Sequence, residues 1–142
     1  MSMYDLFKTD DSIEQSGVYL NYGSFRVKIA RAGGGNKRYT KTLEAKTRPI
    51  RRAIETETVD EKVSRQLMME LYAETVVLDW ETEVDGKMEK GIEGPDGKIM
   101  PFSKENVLLT FKNLPDLFQD IIAQAGKVSN FRQMQLEEDA KN

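Results

Sequence analysis

The sequence predicts an α+β domain, with an N-terminal β-hairpin packed on a mostly α-helical body and flexible termini. Two patterns carry this expectation. Between Val18 and Arg31 apolar and polar residues alternate, the period of a half-buried strand. From Val59 onward apolar residues recur every three or four positions, the period of an amphipathic helix. A length of 142 residues suits a single domain, 1–142, with a moderate core.

Residues 1–15 carry Asp5, Asp10, Asp11 and Glu14 with little apolar periodicity, so a loose arm is expected, anchored by Tyr4, Leu6 and Phe7. Val18, Leu20 and Tyr22, then Phe25, Val27 and Ile29, line one face of a hairpin that turns at Asn21-Tyr22-Gly23-Ser24. Its other face is basic. Ala32-Gly33-Gly34-Gly35-Asn36 breaks the chain. A helical pattern follows from Lys37, and Pro49 must kink or divide it, because proline lacks a donor and clashes with the preceding turn. Thr58-Val59-Asp60-Glu61 fits a capping box. The next helix, with Val63, Leu67, Leu71 and Leu78 on one face, is expected to run to Trp80.

Residues 81–102 are polar and rich in Gly, so a loop is expected, with a second small hairpin at Pro95-Asp96-Gly97. Ser103 caps a helix carrying Val107, Leu108 and Phe111. Pro115 opens another, which holds Phe118, Ile121 and Ile122 and stops near Gly126. The segment 129–142 is expected to be flexible or ordered by a partner, with Phe131, Met134 and Leu136 on a polar background.

Charge is sorted along the chain. Arg26, Lys28, Arg31, Lys37, Arg38, Lys41, Lys46, Arg48, Arg51 and Arg52 stand against one acid, Glu44, which sets this segment at +9. The whole chain is −3, so the remainder carries −12. Such asymmetry points to a charged partner, or to like chains meeting plus to minus. Candidate partner-binding residues are therefore Arg26, Lys28, Arg31, Lys37, Arg38, Lys41, Arg48, Arg51 and Arg52, together with Phe131, Met134 and Leu136.

Cysteine and histidine are both absent. This removes disulfides, thiolate nucleophiles, the commonest general base and the commonest metal ligand. No catalytic, cofactor-binding or metal-binding residues are assigned, and no enzyme is expected. The glycine run before Lys37 lacks the Walker pattern. The acids Asp79, Glu81, Glu83 and Asp85 lack the ligand order of a calcium loop. No apolar run approaches the ~20 residues of a membrane span, and the N-terminus lacks the features of a secretory signal. A soluble, cytoplasmic protein is expected.

Several stretches, in order, resemble tail assembly chaperones of long-tailed, non-contractile (siphovirus-like) bacteriophages or prophages. They are Phe25-Arg26-Val27-Lys28-Ile29-Ala30-Arg31-Ala32-Gly33-Gly34, Leu43-Glu44-Ala45-Lys46 with Arg48-Pro49 and Arg51-Arg52, and Tyr72-Ala73-Glu74-Thr75-Val76-Val77-Leu78 with Trp80-Glu81. Asp96-Gly97-Lys98, Pro101-Phe102-Ser103 with Glu105-Asn106, Leu114-Pro115-Asp116-Leu117-Phe118 and Asn130-Phe131-Arg132 complete the set. The resemblance implies a non-catalytic protein of the host bacterium's cytoplasm, absent from the mature virion. It implies that the protein keeps the tape measure protein soluble and helps recruit tail tube protein. It also implies contacts between copies, as a homo-oligomer. Two other readings remain: a nucleic-acid-binding phage accessory protein using the basic 26–52 segment, and a structural tail or connector component.

Overall fold

The computed structural model describes residues 2–132. Two short helices come first, α1 (Met3–Phe7) and α2 (Asp11–Ser16). The hairpin β1 (Val18–Asn21) and β2 (Phe25–Ile29) follows, then α3 (Lys37–Thr47), a 3-10 turn (Arg48–Ile50) and α4 (Arg51–Glu55). The long helix α5 (Glu61–Thr75) leads into β3 (Val77–Val84), β4 (Lys87–Lys90), β5 (Ile92–Glu93) and β6 (Ile99–Met100). Helices α6 (Lys104–Asn113) and α7 (Pro115–Ala125) and a 3-10 turn (Val128–Phe131) complete the α+β fold.

One antiparallel sheet runs β1-β2-β3-β4, and β5 and β6 form a separate two-stranded ribbon. The predicted hairpin is present, pairing Val18 with Ile29 and Leu20 with Val27. Gly23 has φ +99°, which a side chain would resist, and its amide donates to Asn21 Oδ1. Val27 and Ile29 enter the core, where they join Val76, Val77, Trp80, Leu71 and Tyr72, with Phe111, Phe118 and Ile121 from α6 and α7. Tyr72 stands edge-on to both Tyr39 and Phe118, so α3, α5 and α7 meet at one aromatic junction.

Several boundaries depart from the sequence expectation, each for a physical reason. The segment 1–15 is not simply loose. Asp10 Oδ1 accepts from the amides of Ser12 and Ile13, which starts α2, and α2 buries Ile13 and Glu14. Asp60, not Thr58, caps α5, accepting from the Lys62 amide at 2.9 Å. Helix α5 ends at Thr75 rather than Trp80. The β-branched pair Val76-Val77 turns the chain into β3, the strand that pairs β2 to β4. The polar segment 81–102 is largely strand, folded at Asp85-Gly86, where both residues have positive φ, and again at Pro95-Asp96-Gly97 as expected. Pro49 divides the second helical stretch as predicted.

Candidate functional site

The ten cations of the 26–52 segment split into two groups. The first is absorbed by the fold. On the outer face of the sheet, Arg26 grips the buried Glu81 through Nε at 2.8 Å and a terminal nitrogen at 2.6 Å. The guanidinium lies 4.0 Å from the Tyr19 ring centroid. Lys90 and the Tyr19 hydroxyl donate to the other Glu81 oxygen at 3.1 and 3.3 Å. Burial alone would raise the Glu81 carboxyl, but the hydrogen bonds and charges of Arg26 and Lys90 outweigh it and hold it below the usual range. Lys28 lies over the same tyrosine ring at 5.6 Å. Arg31 pairs with the buried Glu14 at 2.5 Å, while Thr9 donates to Glu14 at 3.0 Å. There too burial works to raise the acid, and the partners reverse it. Lys46 points inward from α3 and bridges Glu70 and Glu74 of α5. Arg48 pairs with Glu44, four residues earlier on an exposed face.

The second group is Lys37, Arg38, Lys41, Arg51 and Arg52. All five are exposed, and no acid among the described residues lies within ion-pair distance of any of them. They share the outward surface of α3 and α4. Tyr39, Leu43, Lys46, Thr47 and Ile50 take the partly covered inner side, at helical spacing. This charge works against the helices that carry it. Lys37 and Arg38 occupy the first turn of α3, which contains no acid, where the helix dipole disfavours cations by ~0.3–1 kcal/mol each. Lys37 and Lys41 are like charges at i,i+4 on α3, costing ~0.2–0.5 kcal/mol. Local stability does not account for these residues.

Behind the cationic face lies an open apolar groove between the α3–α4 stretch and the first half of α5. Leu43, Ile50 and Ile54 form one wall and Val59, Leu67 and Met68 the other, enclosing about 300 Å³. Ile54, at its lip, remains 45% exposed, and Glu57 is the charged residue of the lining; Val63, 47% exposed, lines an adjoining depression with Lys62 and Glu70. Periodicity alone would place the apolar stripe of α5 in a core throughout. Only its C-terminal half is buried, at Met69, Leu71, Tyr72 and Ala73. Sequence periodicity does not distinguish a groove from a filled core.

Of the three tail candidates, Phe131 is fully buried and is not available to a partner. Its carbonyl accepts from the Asp10 amide at 3.0 Å, and the ring fills the core beside α7. The reason is local. The Asn130 side chain donates to the Gln124 carbonyl at 2.9 Å, folding the chain back after Gly126 and driving Phe131 inward. Met134 and Leu136 lie outside the described residues.

Among the described residues, no cluster of three acids could hold a metal ion, and no helix is long and apolar enough to cross a membrane. The fold and surface thus define a small α+β protein with an unneutralised cationic helical face beside an apolar groove. Residues 34–142 match the family described as YdaY prophage protein, and the chain belongs to that family. The match begins in the glycine turn before α3 and takes in the cationic face and both walls of the groove. No curated protein and no solved structure matches the chain.

Proposed function

We propose that this prophage protein is a non-catalytic tail assembly chaperone. It holds the tape measure protein in soluble form and helps bring tail tube protein to it. It works in the cytoplasm of the host bacterium and leaves before the particle is finished. The observation that carries this reading is the α3–α4 face. Five unpaired cations share it, and Lys37 and Arg38 sit in the first turn of α3, where helix electrostatics disfavours them, as expected of a surface selected to meet an acidic partner. The ordered sequence resemblance names the partner, and membership of a prophage family is consistent with it.

Co-expression with the tape measure protein of the same prophage, followed by co-purification, tests the proposal. The triple variant Lys41→Glu/Arg51→Glu/Arg52→Glu should retain about tenfold less client, a loss of ~1.4 kcal/mol. Its melting profile should stay that of the wild type, because all three side chains are exposed. Undiminished capture by this variant refutes the assignment of the face. Tight binding of DNA or RNA with a steep salt slope, and no capture of the client, would transfer the face to nucleic acid.

A further inference from the structure

The described chain ends beside the first turn of α3. The Phe131 carbonyl accepts from the Asp10 amide, and Arg132 lines one depression with Asp10, Asp11 and Ser12. Asp11 in turn abuts the glycine loop that opens α3: a Cβ at Gly35 would stand 3.3 Å from Asp11 Cα. Lys37 is two residues further on. Counted along these contacts, with ~3.8 Å per Cα step, Lys37 lies no more than ~25 Å from Phe131. Six to eight residues beyond Phe131 stands Glu137-Glu138-Asp139, the one run of three consecutive acids in the sequence. At ~3.3–3.6 Å per residue of extended chain, this run reaches ~20–29 Å.

We infer that Glu137-Glu138-Asp139 docks within its own chain against Lys37, Arg38 and Lys41, and so shields this end of the cationic face. The charges fit, since three acids meet three exposed cations and only Lys141 in that tail opposes them. The backbone fits as well. The first turn of α3 contains no acid, and a helix N-terminus favours carboxylates. Exposed ion pairs are individually weak and screened by salt. The tether offsets this, because ten residues of chain hold the acids at a millimolar effective concentration. The shield is partial. Arg51 and Arg52 lie beyond the far end of α3, an eleven-residue helix ~16 Å long, and stay outside the contact. An acidic partner arriving on the face therefore finds α4 open and displaces the tail from α3. The contact needs only the charges of the face and stands whether or not the tape measure protein is the client. If that client docks there as proposed, the tail is its competitor.

The chain has no cysteine, so Ala140→Cys gives a unique site for a nitroxide spin label in the full-length protein. At low salt the amide NMR signals of residues 37–41 should broaden, while those of β4 should not. The broadening should fade in ~1 M NaCl, where charges are screened within ~3 Å. Lys37→Glu/Arg38→Glu/Lys41→Glu should abolish it, as should Glu137→Lys/Glu138→Lys/Asp139→Lys, and the two sets combined should restore it. All six side chains lie outside the described core. Spin-labelled chains mixed with isotope-labelled chains that lack the nitroxide should show no broadening. Binding of poly-L-glutamate gives a second readout. Glu137→Gln/Glu138→Gln/Asp139→Asn should bind it about two- to fivefold more tightly than the wild type, because the competitor is gone. Glu83→Gln/Asp85→Asn/Glu89→Gln removes the same charge at the exposed β3–β4 turn and should gain less than about twofold. Neither readout involves the client, so the tail contact and the client assignment fail separately. Unbroadened signals at 37–41, broadening that survives charge reversal, or broadening between separate chains overturns the inference. So does an equal gain by both neutralised variants.

Discussion

Asn36 closes the loop before α3, and replacing it separates two roles that its position suggests. Its side chain is 4% exposed. Oδ1 accepts from the Tyr39 amide at 3.4 Å, a weak cap for α3, while Nδ2 donates to the carbonyls of Arg31 at 2.8 Å and Thr75 at 3.0 Å. The amide group thus staples the end of β2's strand path to the last turn of α5. Asn36→Ala removes the cap, worth ~0.5–1 kcal/mol at this distance, and strips the donor from two inward carbonyls at ~1–3 kcal/mol each. Partial rehydration limits the sum to about 2–5 kcal/mol. The decisive variant is Asn36→Asp. Aspartate caps helices as well as asparagine does, but it would aim a carboxylate oxygen at two carbonyl oxygens. Asn36→Asp should therefore lose at least as much as Asn36→Ala at neutral pH, seen as a urea midpoint lowered by about 1 M or more. Far-UV circular dichroism reads the transition. An Asn36→Asp unfolding free energy within ~0.5 kcal/mol of wild type would mean that the residue is a cap and nothing more, and the staple would be wrong.

Acid should loosen the fold in a defined direction. Glu14, Glu74 and Glu81 each sit below their ordinary value of 4.5, so the stability they confer is present above that pH and fades as pH falls below it, through their depressed folded values. Denaturation at a series of pH values should show this decline, and Glu81→Gln should be less stable at neutral pH with a shallower decline. Phe131→Ala should cost ~3–5 kcal/mol in thermal or urea unfolding, as for any fully buried phenylalanine, whereas exposed Met3→Ala should change stability by less than ~0.5 kcal/mol. A near-neutral Phe131→Ala would restore this residue to the list of partner contacts.

What was legible in the sequence follows from how local each signal is. The β1–β2 hairpin was visible because period-two alternation and its turn lie within fourteen residues. Helices α6 and α7 were visible because Ser103, Pro115 and Gly126 punctuate them. Strand β3 was hidden by a bulge: Lys28 faces Asp79 while Ile29 faces Val77, which leaves Leu78 unmatched and breaks the alternation. Without it, Val76, Val77 and Leu78 continue the helical spacing of α5. Strand β4 (Lys-Met-Glu-Lys) has no buried residue and hence no pattern to detect. At the candidate site, the sequence identified the basic segment but not its division. Which cations meet Glu14, Glu70, Glu74 or Glu81 depends on contacts 17 to 55 residues apart. The groove was invisible for the opposite reason, since the residues that line it are the same types that fill a core.

The rim strand β4 has one more consequence. It is only four residues long and has a lysine at each end, with Lys90 folded over Asp79 and Glu81 rather than left reaching outward. A short, lysine-bearing border offers a poor template for a stranger's backbone. Fibril-like growth is thus discouraged on that side of the molecule. Encounters between molecules at high concentration are then less hazardous on this side.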